Sequence, residues 1–134
     1  MTRIAIFQAQ SGIDPERNAE ALTAAIADAA AGGAAMLFTP EMSGMLDGNR
    51  ERALATARAE GDDRVLARVR EEAAKQGLWV HLGSLALKAD GEEALVNRGF
   101  VVDPAGDIVA RYDKIHLFDV DLPTGERWRE SATY

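Results

Sequence analysis

Cysteine is absent from the chain. That excludes disulfides, thiolate metal sites and a cysteine nucleophile among these residues. Aromatic residues make up only 6%, and Trp79 and Trp128 stand too far apart in sequence to form a stacking platform for single-stranded nucleic acid. Basic residues are outnumbered, 15 against 22 acids for a net charge of −7. The cations are interspersed with acids, as in RNRER and RVREEAAK, whereas reading a phosphate backbone takes clustered Lys and Arg; no nucleic-acid partner is expected. Long apolar runs are missing too. Ile4 to Phe7 is broken by Gln8 and Gln10, too short for a signal peptide or a membrane span, so the expectation is a cytoplasmic protein with no membrane partner. Neither GxxxxGK[ST] nor GxGxxG occurs, and no nucleotide or other cofactor is called for.

What is present suits one folded domain. The 134 residues are 47% hydrophobic and 28% charged, which is ordinary for a soluble globular chain. Arg3 to Gln10 reads as a buried strand. A helix follows, with Asp14 as N-cap, Pro15 at its first position, Leu22, Ile26, Ala29 and Ala30 at helical spacing, and Gly32 and Gly33 at its end. Ala35 to Thr39 is a second strand stopping at Pro40. Asn49 to Ala59 is helical in composition, and Asp62 or Asp63 caps a further helix with Val65, Leu66 and Val69 on one face and Gly77 at its close. GLWVHLGSLALK and EALVNRGFVVD are β-like, and Asp103-Pro104-Ala105-Gly106 predicts a type I turn into a strand from Ile108 to Tyr112. The order β, α, β, α, α, β, β, β predicts an α/β fold: crossover helices imply parallel pairing early and the turn implies antiparallel pairing late, hence a mixed sheet. Phe118 to Tyr134 reads as a polar loop.

Two residues stand out as chemistry-bearing. Glu41 follows a strand and a proline in FTPEM, at the strand end where open α/β sheets place their sites; the plainer reading is a carboxylate opening a solvated loop. Lys114 lies in YDKIHLF between apolar neighbours, where a cation can stabilise charge developing on a reacting oxygen; the plainer reading is an ion pair with Asp113 or a distant acid. His116 beside Ile115 and Leu117 reads as structural. Asp119, Asp121, Glu126 and Glu130 lack the spacing and glycine of a calcium loop, so no metal is expected.

Taken together, the AQ after the first strand, the TPE after the second, NRGFVVDPAGDIVARYDKIHLFDVDLP and the closing RESATY resemble the nitrilase superfamily of carbon–nitrogen hydrolases, in particular its amidase branch, which includes omega-amidase and deaminated-glutathione amidase. The resemblance covers essentially the whole chain. It implies that Glu41 is the general base, Lys114 the cation that stabilises the tetrahedral intermediate, and Glu130 the second glutamate that positions the lysine or substrate. It further implies hydrolysis of a small-molecule amide to acid and ammonia by a Cys-Glu-Lys mechanism, without cofactor or metal, in a protein that is a homo-oligomer at full length. The family's cysteine falls beyond Tyr134. The resemblance therefore makes residues 1–134 the N-terminal part of a single hydrolase domain, half of a four-layer α-β-β-α sandwich and inactive alone. Half a sandwich leaves a sheet face and at least one strand edge uncovered, so the 134 residues alone are expected to be marginally stable or self-associating. The competing readings are a nitrilase or carbamoyl hydrolase of the same family, and a catalytically inactive truncated relative that serves as an interaction subunit. A carboxylate-only glycoside hydrolase finds no further support in the sequence.

Overall fold

The computed structural model describes residues 1–89, 94–116 and 119–129, with the backbone alone at 128 and 129. Strand β1 (Ile4–Ile6) leads to helix α1 (Pro15–Ala31), strand β2 (Met36–Phe38), helix α2 (Arg50–Thr56), a 3₁₀ turn at Glu60–Asp62, helix α3 (Arg64–Gln76), and strands β3 (Trp79–Lys88), β4 (Leu95–Val102) and β5 (Ile108–Asp113). Strands β6 (Asp119–Asp121) and β7 (Arg127–Arg129) form a separate two-stranded sheet.

The helix limits follow from capping. Asp14 accepts the Glu16 N–H at 3.0 Å and Pro15 occupies the first turn of α1, so its proline costs no hydrogen bond. Asn49 and Asp63 cap α2 and α3 by accepting the N–H groups of Arg52 and Leu66, which settles the choice between Asp62 and Asp63. Burial pushes the Asp63 carboxyl above the usual range, against its hydrogen bonds to the Leu66 and Val65 amides and the nearby Arg58 charge. Helix α2 stops three residues short of the expected Ala59. The Arg58 guanidinium folds back onto the carbonyls of Ala55, Thr56 and Ala57 at 2.8–2.9 Å, satisfying the C-terminal acceptors that a longer helix would have used.

The main sheet runs β1-β2-β3-β4-β5. Its first pairings, β1 with β2 and β2 with β3, are parallel, and β3-β4 and β4-β5 are antiparallel, the mixed sheet that the element order predicts. Helices α1 and α3 pack side by side on one face. Ala19, Leu22, Ile26 and Ala29 of α1 and Val65, Leu66, Val69 and Ala73 of α3 close over Leu37, Val80, Leu82, Phe100 and Val102. One helical layer on one sheet is the architecture expected of half an α-β-β-α sandwich. No described helix is long and apolar enough to cross a membrane.

The β6-β7 hairpin corrects the loop expected there. Leu122-Pro123-Thr124-Gly125-Glu126 repeats the proline and glycine spacing of Asp103-Pro104-Ala105-Gly106-Asp107. Both turns close with the same two backbone bonds, Gly125 N–H to Leu122 O and Leu122 N–H to Glu126 O matching Gly106 N–H to Asp103 O and Asp103 N–H to Asp107 O. Gly125 and Gly106 each sit at positive φ, 86° and 83°, where a Cβ would be strained. Asp121 faces Arg127 across the hairpin at 3.6 Å.

The sheet face opposite the helices is apolar. Ile4, Met36 and Trp79 lie in one row across it, and Ile6, Phe38, His81, Val101 and Ala110 in the next. Ile6 is 77% exposed, Ile4 54% and Trp79 39%. Contiguous apolar surface of this kind drives association. Sedimentation velocity is expected to show species heavier than the monomer that grow with concentration, with Ile6→Lys shifting the population back to monomer. A clean monomer that melts sharply and reversibly would contradict this.

Candidate active site

Glu41 owes its place to the loop that leaves β2. Strand β2 ends where Pro40 removes a ladder donor, and the chain then turns against β3. Thr39 N–H donates to the His81 carbonyl at 3.0 Å and Gly83 N–H donates to Thr39 Oγ1 at 3.1 Å. Ser43 Oγ donates to the Pro40 carbonyl at 2.5 Å and, 3.0 Å from it, the Thr39 hydroxyl donates to Ser43 Oγ. Met42 N–H reaches Ser84 Oγ and Ser43 N–H reaches the Ser84 carbonyl, both at 2.9 Å. Thr39, Ser43 and Ser84 are all buried, so each hydroxyl needs these partners. Met42 sits at φ 55°, a left-handed conformation costing about 1–2 kcal/mol for a residue with a Cβ, and its hydrogen bond to Ser84 holds it there. The loop is thus over-determined on both sides of Glu41.

This packing requires glycine at 83. A Cβ there would lie 2.4 Å from the Pro40 carbonyl oxygen and 2.5 Å from that of Thr39. Strand β3 is also irregular at this point, its register with β4 shifting between Leu82 and Leu85, which turns Ser84 toward the loop.

Lys114 arrives from the other side of the sheet. It follows β5 directly, and its N–H donates to the Asn97 carbonyl on β4 at 2.9 Å, continuing the β4-β5 ladder by one step. Its Nζ lies 2.8 Å from Glu41 Oε1, across 73 positions of sequence. The ion-pair and catalytic readings of Lys114 therefore meet in one contact, with the distant acid Glu41. Asp113 is occupied. Arg98 grips it with two hydrogen bonds of 2.6 and 2.9 Å, which hold the Asp113 carboxyl below its usual range. The third arm of Arg98 and the Arg111 guanidinium both engage Glu60, whose carboxyl is likewise lowered, chiefly by Arg111.

The apolar setting expected around Lys114 is not what holds it. Tyr112 is 62% and Ile115 73% exposed, and His116 is also exposed. The lysine side chain is 27% exposed and Glu41 53%, so hydrogen bonds fix a pair that solvent still reaches. Glu130, with Leu117 and Phe118, lies outside the described residues. A third residue joins the pair that the sequence did not single out: Asn97, 3% exposed, donates its Nδ2 to Glu41 Oε1 at 2.7 Å. Its signal was a polar side chain between Val96 and the β4 core, which must find a partner if buried. Among the described residues no group of three or more His, Asp or Glu side chains is arranged to hold a metal ion. A cavity of about 290 Å³ opens nearby, lined by Gly44, Met45, Arg58, Asp63 and Leu85 among others; Glu41 and Lys114 are outside its lining.

A carboxylate and an ammonium sharing one contact, solvent-accessible and rigidly mounted, can pass a proton and stabilise a developing oxyanion. Comparison with protein families matches residues 3–134 to the family described as Carbon-nitrogen hydrolase. The chain is 34% identical over 104 residues to the deaminated glutathione amidase of Yersinia enterocolitica, covering 76% of this chain and 36% of that protein. The C. elegans NitFhit protein superposes with a TM-score of 0.82 at 30% identity, over 98% of this chain and 33% of that one. A mutant of the amidase from Nesterenkonia sp. AN1, solved with acrylamide added at its active-site cysteine, gives a TM-score of 0.75 at 28% identity, over 88% of this chain and 46% of that one. The chain spans less than half the length of each of these three proteins.

Gly83→Ala tests the mounting of Glu41. Forcing a Cβ against two carbonyl oxygens is expected to lower stability by about 1–3 kcal/mol, read as a drop in the urea midpoint. Gly48→Ala, where nothing lies within 4 Å of an added Cβ, is expected to leave it nearly unchanged. Equal midpoints for both variants would show that the loop does not depend on the close approach.

Proposed function

The chain belongs to the carbon–nitrogen hydrolase family of the nitrilase superfamily, on its amidase side, and from that premise we propose that residues 1–134 are the N-terminal part of one hydrolase domain, carrying the base and the cation that cleave a small-molecule amide to acid and ammonia. The observation that carries this reading is the 2.8 Å contact between Glu41 Oε1 and Lys114 Nζ. Two residues so far apart in sequence meet at a strand end in the pairing that amide hydrolysis needs.

In the proposed cycle a cysteine outside residues 1–134 supplies the nucleophile. Glu41 takes the thiol proton, sulfur bonds to the amide carbonyl carbon, and the π electrons move to oxygen, where the Lys114 ammonium offsets the new charge. Collapse of this intermediate breaks the C–N bond. The departing nitrogen takes the proton back from Glu41 and leaves as ammonia, which puts a thioester on the enzyme. Water then gives a proton to Glu41 as it adds to the thioester carbon; the C–S bond breaks, the acid departs, and sulfur recovers the proton. Glu130 is proposed as the second glutamate, positioning Lys114 or the substrate. No step calls for a metal or cofactor, and the working form is proposed to be a homo-oligomer. Choice among amide, nitrile and carbamoyl substrates belongs to loops around the pair, and the amidase relatives favour the amide.

A second reading, a non-catalytic subunit that pairs through the uncovered sheet face, draws on the exposure of Ile6 and Trp79. Ammonia release from small amides such as succinic acid monoamide separates the two. Residues 1–134 alone are expected to be inactive, and the same residues joined to a cysteine-bearing C-terminal half to turn over. In that joined protein Glu41→Ala is expected to lose about 10²–10⁴-fold and Lys114→Ala about 10²–10³-fold in kcat. Undiminished turnover in both variants would overturn the assignment, and a stable complex with no turnover would favour the second reading.

A further inference from the structure

We propose that Asn97 is the positioning residue of this site, coupling Glu41 to Lys114 and engaging Glu41 Oε1 so that Oε2 is the oxygen that carries protons. The catalytic half of this statement rests on the amidase reading above. Asn97 acts through both its side chain and its backbone. Nδ2 donates to Glu41 Oε1 at 2.7 Å, while the carbonyl of the same residue accepts the Lys114 N–H at 2.9 Å. One buried residue on a central strand therefore sets where the carboxylate points and where the lysine starts. The lysine ammonium then closes the triangle on the same Oε1 at 2.8 Å.

The two oxygens of Glu41 differ in consequence. Oε1 receives one cationic and one amide donor, whereas among the described residues no hydrogen bond reaches Oε2, and the side chain is 53% exposed. A proton placed on Oε1 would have to displace at least one of these donors. Displacing Asn97 would take the Glu41 acceptor from a buried amide N–H, a desolvation cost that proteins avoid. A proton placed on Oε2 leaves Oε1 as a carbonyl oxygen that still accepts from both donors. The base can then cycle between its two protonation states without rearranging the loop, and such preorganisation is what keeps proton transfer efficient.

The test has two readouts. In the ¹⁵N-labelled 134-residue chain, the Asn97 side-chain amide is expected to shift with pH through the Glu41 titration and to lose that inflection in Glu41→Gln; an amide that stays flat would overturn the coupling, whatever the chain's activity. In the joined, cysteine-containing protein, Asn97→Ser is expected to lower kcat/KM about tenfold with KM within about twofold. The acid limb of its pH profile should move up, because the ionised carboxylate loses a donor. Asn97→Asp, isosteric but lacking the donor and setting a second carboxylate against Glu41, is expected to lose more than Asn97→Ser. Unmoved pH profiles in both variants, even with lower melting temperatures, would reduce Asn97 to a structural role and overturn the proposal. Failure of the amidase reading looks different: the unsubstituted joined protein releases no ammonia while the Asn97 inflection persists.

Discussion

A carboxylate and an ammonium 2.8 Å apart and half open to water hold that geometry only if something other than their attraction fixes them, because exposed pairs are worth little alone. Here the fixing is done by backbone. The Thr39–Ser43 loop is tied to β3 by hydrogen bonds to His81, Gly83 and Ser84, and Lys114 is tied to β4 through Asn97. The sheet is the ruler. Its five strands set the separation between loop and lysine, and the helices on its far face keep the strands in place through the core around Leu22, Ile26, Val69 and Phe100.

Electrostatics then decide the pairing. Lys114 sits next in sequence to Asp113, and an isolated lysine there would find its neighbour first. Arg98 removes that option by taking both oxygens of Asp113 and reaching on to Glu60, which Arg111 also holds. With Asp113 and Glu60 both lowered by their arginines, these two acids stay ionised and engaged. Among the described residues the ammonium meets Glu41 at 2.8 Å, and Asn97 holds the same Oε1.

Much of this could be read from the chain before any coordinates. Asp14, Pro15 and Gly77 mark helix ends because capping is local chemistry, and the mixed sheet follows from element order. Glu41 and Lys114 were legible as candidates, though only their resemblance to a family pattern joined them, since spacing carries no distance. Other features depend on packing that local sequence does not encode. Asn97 looks like any polar strand residue until β4 is central and the Glu41 loop crosses it. Tyr112 and Ile115 suggested burial by their apolar side chains, but hydropathy does not say which sheet face is covered. The β6-β7 hairpin was readable, since LPTGE carries the turn spacing of DPAGD; the charged residues flanking it obscured the strands. Glu130 lies outside the described residues, and its part in the site rests on the resemblance alone.

The central claim is that Lys114 and Glu41 form one unit in solution. The chain's lysines are Lys75, Lys88 and Lys114, few enough to follow individually after reductive ¹³C-methylation, which preserves their charge. In an NMR titration the Lys114 dimethyl signal is predicted to move as pH falls through the carboxylate range, and to lose that movement in Glu41→Gln. A Lys114 signal that stays flat through the carboxylate range, or one that moves unchanged in Glu41→Gln, would contradict it.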